Sequence, residues 1–363
     1  MLSQQSPSRS IISAAGSGKT TFIVKETVSN SDSKVAVITY TNNNENEIKK
    51  KYYEANRTIP SNVFVSTWFQ FLLQECVRPY QNFVYDKRRI DTIDFVSGKS
   101  AKFIPKANTE KYFFSQGRYI YNDKISEFAC LCNEKSGGLV TQRLKKIFDE
   151  IYIDEVQDLA GYDFELLEML LKSNIKLTLV GDNRQATYAT NNSEKNKKFK
   201  GVNIINLLDK WEKQGLCEKQ YRSQSHRCNQ AICDLADGLY PDMPKTESLN
   251  NDITGHDGIF LVSSKEAENY ILRYSPQILR FDVKTDTQGF PAINFGASKG
   301  LTFERVLIYP NNPIRKFLEA GEIAHIEKSK AKFYVGLTRA KYSVAFVYDG
   351  ICNKIGVTKW VAS

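Results

Sequence analysis

No stretch of the 363-residue sequence approaches the roughly 20 consecutive apolar residues needed to span a bilayer, which excludes a helical membrane span. The first residues, Met1–Pro7, are polar and lack the apolar core of a signal peptide, so the expected home is the cytoplasm, with no membrane partner. Cysteines number seven, an odd count at irregular spacing. That excludes a disulfide scaffold and fits reduced thiols. The Cys-x-x-Cys pairs of structural zinc sites are missing as well: Cys130 and Cys132 are too close together, and His226, Cys228 and Cys233 form only a loose cluster on or near a helix. There is no internal repeat, no low-complexity tail and no visible nuclease motif.

What is present is ordinary for a soluble globular protein. Apolar residues make up 41% of the chain and charged residues 25%, enough to fill the cores of two domains. The 50 basic residues exceed the 41 acidic ones, giving a net charge of +9. That excess suits a polyanionic partner without requiring one.

Short runs rich in Ile and Val recur with helical patterns between them. The strand candidates are residues 10–13, 34–40, 62–66, 150–154 and 176–181, then 258–263, 292–295, 305–309 and 343–348. Their nearly continuous apolar character predicts strands buried on both faces, and helical patterns at 20–28 and 164–171 make the unit β-α-β. The class is therefore α/β. Residues 76–148, rich in Lys, Tyr and Phe with few clean strands, read as a small, mostly helical insertion. The expected organisation is a first domain over 1–75 and 149–215, the insertion over 76–148, and a second domain over 216–363. The segments 193–200 and 241–258 read as loops.

Two motifs carry chemistry. Ile11–Ile12 lead into Ser13-Ala14-Ala15-Gly16-Ser17-Gly18-Lys19-Thr20, a P-loop with Ser13 in place of its first glycine. Gly16, Ser17 and Gly18 let backbone N–H groups curl around phosphate. Lys19 supplies a charge for the β- and γ-phosphates, and the Thr20 hydroxyl is a ligand for Mg²⁺. Thr21 follows on the helix whose positive end faces the anion. The second motif, Ile151-Tyr152-Ile153-Asp154-Glu155, is an apolar strand ending in two acids. Asp154 is placed to hold Mg²⁺ through water and Glu155 to polarise an attacking water. ATP and Mg²⁺ are the cofactors implied.

The segment Asp154-Glu155-Val156-Gln157-Asp158 is similar to the Asp-Glu-x-Gln-Asp box of UvrD/Rep-like superfamily 1 helicases, and an ordered series extends the resemblance. Gly181-Asp182-Asn183-Arg184-Gln185-Ala186-Thr187-Tyr188 resembles their third motif, Gln220-Tyr221-Arg222-Ser223 the fourth, Lys299-Gly300-Leu301-Thr302-Phe303 the fifth, and Tyr334-Val335-Gly336-Leu337-Thr338-Arg339-Ala340-Lys341 the sixth. Thr39-Tyr40-Thr41-Asn42-Asn43 and Ser66-Thr67-Trp68-Phe69 resemble the two early DNA-contacting motifs. The resemblance implies two RecA-like domains with ATP between them. Gln185 then senses the γ-phosphate, Tyr221 stacks on adenine, and Arg222 and Arg339 reach the γ-phosphate. Such arginines are worth roughly 10³–10⁵ in rate.

The same resemblance implies a motor that hydrolyses ATP and moves 3′→5′ on single-stranded DNA or a single/double-strand junction. Tyr40, Trp68 and Tyr188 are the stacking candidates; Thr39, Thr41, Asn42, Thr67 and Lys299 are backbone contacts. The lysine runs Lys49–Lys51 and Lys195–Lys200 read first as solvated faces. The sequence departs from the family in three places. Gln4 and Gln5 lie too close to the P-loop strand to match the adenine-reading glutamine motif. Gly296 and Thr302 replace a usual His and Glu of the fifth motif, with Glu304 as a substitute. The accessory insertions are short. The alternative is therefore an ATP-gated DNA-binding or signalling subunit serving a nuclease or another operon-encoded protein. A small-molecule P-loop kinase explains the first motif and none of the later ones.

Overall fold

In the computed structural model, which describes residues 7–173, 175–191, 193–352 and 356–362, the Ile- and Val-rich runs form strands whose alternate side chains enter cores on opposite faces of a sheet. Gln4 and Gln5 lie outside the described residues. The main sheet of the first half uses β1 (Arg9–Ser13), β2 (Val35–Thr39) and β3 (Val63–Thr67). The short β4 (Thr92–Asp94), β5 (Phe114–Ser115) and β6 (Tyr119–Tyr121) make a separate three-stranded sheet. Then β7 (Glu150–Ile153), β8 (Lys176–Gly181) and β9 (Glu218–Arg222) complete the main sheet, in the order β3-β2-β7-β8-β1-β9. The β3-β2-β7-β8-β1 pairs are parallel.

The two-face burial expected from the sequence is observed. Val35, Val37, Tyr152 and Val180 pack in one core with Ile23 and Val24 of α1 (Lys19–Ser29) and Ile48 and Tyr52 of α2 (Asn42–Asn56). Their neighbours Ala36, Ile38, Ile151, Ile153, Leu177 and Leu179 enter a second, larger core. That core is closed by α3 (Trp68–Phe71), α5 (Ile125–Lys135), α6 (Leu139–Ile147), α7 (Tyr162–Lys172) and α8 (Ile204–Lys213), through Phe71, Phe128, Leu144, Leu167 and Trp211. Between α3 and α5 lies the five-residue α4 (Thr109–Phe113).

Segment 76–148 carries the small three-stranded sheet and packs its aromatic rings together. Tyr85 stacks on Phe114 with centroids 4.6 Å apart, and Phe113 meets Phe128 edge-on at 5.0 Å. These rings join the large core, so the segment is part of the first compact unit, which comprises the chain to Ile12, Lys19–Asn183 and Tyr188–Tyr221.

The second compact unit comprises Ser13–Gly18, Arg184–Thr187 and the chain from Arg222. Its small parallel pair is β10 (Gln224–Ser225) with β11 (Glu247–Ser248), flanked by α9 (Gln230–Asp237). Its main sheet contains β12 (Gly258–Val262), β13 (Gln277–Arg280), β14 (Ile293–Asn294), β15 (Phe303–Tyr309), β16 (Ala340–Val347) and β17 (Val357–Lys359), in the order β14-β13-β15-β16-β12-β17. Every pair in it is parallel. Helices α10 (Ala267–Tyr274), α11 (Asn312–Ala320) and α12 (Lys330–Leu337) complete the unit. The architecture is α/β, with two RecA-like parallel sheets.

In this unit His256 is buried between two rings, 3.9 Å from Phe260 and 3.8 Å from Tyr274, with Nε2 2.8 Å from the Tyr270 hydroxyl. Burial pushes its pKa down to about 4. Arg305 and Arg273 add to that, and Asp257 opposes it. The unfolded chain therefore takes up this proton near pH 6.5 and the native state only near pH 4. The stability contribution is full above pH 6.5 and is lost as pH falls through that window, up to about 3 kcal/mol. Urea unfolding of wild type and His256→Phe should converge in stability between pH 7 and pH 4; a difference that stays constant with pH would show that His256 is not held neutral.

Candidate nucleotide and single-strand site

The P-loop follows β1 directly. Gly16 and Gly18 have φ of 75° and 73°, the left-handed region that glycine enters at least cost. Within the second unit, a Cβ on Gly16 would lie 2.6 Å from Arg227 Cβ, and the Gly16 carbonyl accepts from the His226 N–H at 2.9 Å. A side chain there is excluded both by φ and by space. Ser13 and Ser17 are buried, and their hydroxyls have no hydrogen-bond partner among the described residues. Such groups are costly unless something polar joins them. Lys19, Thr20 and Thr21 are half-buried in the first turn of α1.

The acid pair stands at the end of β7 in the first unit. The Asp154 N–H donates to the Ile38 carbonyl at 2.8 Å, continuing the β2 ladder by one step. Asp154 is buried, and its carboxyl is pushed up to about 7, by desolvation first and by Glu155 second, while Lys19 pulls the other way. Glu155 has φ 57° and ψ 39°, a left-handed conformation that costs a non-glycine residue about 1–3 kcal/mol. Its N–H donates to Asp154 Oδ1 at 2.9 Å, and its carboxylate accepts from Gln157 Nε2. Gln157 Oε1 in turn accepts from the Asp182 N–H at 3.1 Å. One buried amide thus ties the acid to the end of β8. The Asp-Glu-x-Gln-Asp spacing contained this residue but gave no role for it.

In the second unit, Arg339 is 2% exposed. Its Nη2 donates to Gln185 Oε1 at 3.2 Å, its Nη1 to the Leu301 carbonyl at 3.2 Å and its Nε to the Val335 carbonyl at 3.0 Å. Residues of the third, fifth and sixth motifs therefore meet at one guanidinium. Arg222 is half-buried at the end of β9, and its carbonyl accepts from the Ala14 N–H at 2.8 Å. Tyr221, in the first unit, is 47% exposed, so its ring is open to a stacking partner. Lys299 is half-buried, while Thr302 and Glu304 are exposed, with Glu304 3.6 Å from Arg305. Cys228 and Cys233 are buried, with Sγ atoms 3.6 Å from the carbonyls of Thr338 and Cys228, respectively.

The single-strand candidates divide by burial. Tyr188 is 46% exposed, Asn42 is exposed, and Tyr40 and Thr41 are half-buried, Thr41 capping α2 by accepting from the Asn44 N–H at 3.2 Å. Trp68 corrects the sequence expectation: it is 1% exposed, its indole N–H donates to Asp163 at 2.9 Å, and it offers no face to a base. Thr67 is buried and caps α3. Thr39 is buried, its hydroxyl without a hydrogen-bond partner among the described residues, at the step after the Ile38–Ile153 pair, beside Asp154 rather than on a surface. In place of Trp68, an aromatic series runs from Tyr40 to Phe69 at 5.9 Å and on to Phe95 at 5.5 Å, and Phe95 is 67% exposed. Only the exposure of Phe95 marks it, and no motif does.

Among the described residues, no group of three or more His, Cys, Asp or Glu side chains is placed to hold a metal ion, and no helix is long and apolar enough to cross a membrane. A magnesium ion here would rest on few protein ligands, Thr20 directly and Asp154 through water, with phosphate oxygens and water completing its shell. The desolvated Asp154 carboxyl fits such a group.

Arterivirus nonstructural protein 10, a helicase solved in complex with DNA, is similar over 94% of this chain and 61% of its own, at 13% identity and TM-score 0.50. The same helicase in another crystal structure matches over 94% and 59%, at 13% identity and TM-score 0.49; the PRRSV helicase matches over 94% and 52%, at 15% identity and TM-score 0.45. The chain thus spans between half and two thirds of the length of these helicases. No curated protein matches. A family model described as an AAA domain matches residues 3–191. With its P-loop and acid pair inside that match, which covers just over half of the sequence, the chain belongs to the AAA domain family.

Proposed function

We propose that this chain is an ATP-driven motor on single-stranded DNA, of the UvrD/Rep-like type. The observation that carries the reading is the clustering of the chemical groups in each unit. Lys19 acts electrostatically on Asp154 beside Glu155 in the first, and Arg339 holds Gln185 in the second. In this reading the nucleotide lies between two RecA-like domains. Lys19 and the P-loop amides hold the phosphates, and Thr20 and Asp154 hold the Mg²⁺ that neutralises them. Glu155 takes a proton from the attacking water. Tyr221 stacks on the base, and Arg222 and Arg339 stabilise the charge that develops on the γ-phosphate. Hydrolysis then changes the spacing of the domains, and alternating grip moves the strand, by family analogy 3′→5′.

The strand is gripped by Tyr188 and Tyr40 as stacking platforms, with Phe69 and Phe95 extending the aromatic series, and by Asn42, Thr41 and Lys299 at phosphate. A second reading, an ATP-gated binding subunit with a nuclease partner, is motivated by the small insertion.

Single-strand binding tests the core of both readings. Affinity for an oligothymidine should be highest at low salt and fall steeply as salt rises; no binding at low salt would remove both. Tyr188→Ala should weaken that affinity by one stacking contact, about 1–3 kcal/mol. Unchanged affinity would return Tyr188 to a packing role.

A further inference from the structure

A carboxylate outside the nucleotide residues is fully enclosed in the first unit. Asp163, in the first turn of α7, is 0% exposed. Its Oδ1 accepts from Trp68 Nε1 at 2.9 Å and from the Ser126 hydroxyl. Its Oδ2 accepts from the Ala160 N–H at 3.0 Å, from the Thr190 hydroxyl, and from Asn191 Nδ2 at 3.4 Å. A buried acid survives only with its lone pairs satisfied. Each partner here has a proton to give, so the set suits the ionised form. Burial holds the carboxyl's pKa above its ordinary value, and the donors from Ala160, Ser126, Thr190 and Trp68 oppose part of that rise.

These bonds join four segments: the β3–α3 corner, α5, the turn that follows the acid pair, and the loop that carries Tyr188. Further contacts fasten that loop. The Thr190 N–H donates to the Asp158 carbonyl at 2.9 Å, and Asn191 Nδ2 to the Ala160 carbonyl at 2.8 Å. Asn196 Nδ2 reaches the Gly161 carbonyl at 3.1 Å and Glu165 at 2.8 Å. Gly161 has φ 62°, and a Cβ there would come within 2.5 Å of Asn191 Oδ1, so the loop lies directly on this backbone. From Asp158 the chain is three residues from Glu155, whose carboxylate is already held by Gln157.

We propose that Asp163 is a positioning residue that couples a single strand on Tyr188 to the geometry of Glu155, by clamping the Tyr188 loop through Oδ2 and the β3–α3 corner and α5 through Oδ1. This rests on the motor reading. A strand pressing on Tyr188 shifts Thr190 and Asn191. Their bonds to Asp163, Asp158 and Ala160 pass the shift to the turn that sets Glu155. The linking residues Thr190, Asn191, Asp163, Asp158 and Ala160 are all buried, where displacement is transmitted rather than absorbed.

The test uses the full chain with an oligothymidine. Thr190→Val removes one donor to Oδ2 while keeping shape, and Thr190→Ser restores it. In Thr190→Val, turnover without DNA and melting temperature should stay close to wild type. The concentration of oligothymidine giving half-stimulation should not change, and maximal stimulated turnover should fall about tenfold. Thr190→Ser should recover it; Asp163→Asn should lower stimulated turnover as well, but with a lower melting temperature, because its amide NH2 meets a donor. If Thr190→Val lowers basal and stimulated turnover together, in step with the melting temperature, Asp163 is only a packing group. If wild type is stimulated and Thr190→Val matches it, the coupling role fails and the motor reading stands. If wild type is not stimulated at all, both fail.

Discussion

Glu155→Gln is expected to leave nucleotide binding intact and to lower ATP turnover by about 10²–10⁴-fold, the range for loss of a general base. The substitution is a clean one because of how the side chain is held. Gln157 Nε2 donates to the Glu155 carboxylate, and the amide oxygen that the substitution introduces can accept the same bond. The strained backbone at φ 57° is unchanged as well. What disappears is the charge and the basicity. Lys19→Ala should be at least as damaging but less selective, since it removes the charge that opposes the rise in the Asp154 pKa and the group that meets phosphate. Binding of a fluorescent ATP analogue, read beside turnover, separates the two. Glu155→Gln that retains turnover would show that another group activates the water.

Arg339→Ala is expected to retain nucleotide binding and to lose turnover by about 10³-fold or more, the range for an arginine that stabilises the phosphoryl transition state. Its contacts make the prediction sharper. Arg339 donates to Gln185, Leu301 and Val335, and removal takes a donor from each. A lost hydrogen bond to a charged group costs about 1.5–3 kcal/mol, so the melting temperature must be measured alongside. Arg339→Lys keeps the charge and loses the fork that reaches Gln185 and the two carbonyls together. If both variants fold and bind nucleotide but do not turn it over, the arginine acts in the chemical step. Binding and turnover that fall by the same factor would make it structural instead.

The strands were legible where both faces are buried, because such strands must be apolar throughout: residues 176–181 and 150–153 are examples. Two were not. β9, Glu-Lys-Gln-Tyr-Arg, lies at the edge of its sheet and needs no apolar alternation. β13 is four residues long, with Ile278 and Leu279 as its only buried side chains. The P-loop and acid pair were legible because phosphate chemistry fixes residue type and spacing. The single-strand residues were less so, because a motif marks a position along the chain and not its exposure. Trp68 is buried because its indole finds Asp163 95 residues away. Asp163 itself carries no motif signal, since its partners Ser126 and Thr190 lie 37 and 27 residues distant.

ATP turnover with and without single-stranded DNA bears most directly on the motor reading. Wild type should hydrolyse ATP slowly alone and much faster with an oligothymidine, with both rates abolished by Lys19→Ala. Turnover that is the same in the presence and absence of the strand, at a concentration and low salt where the strand is bound, would contradict it.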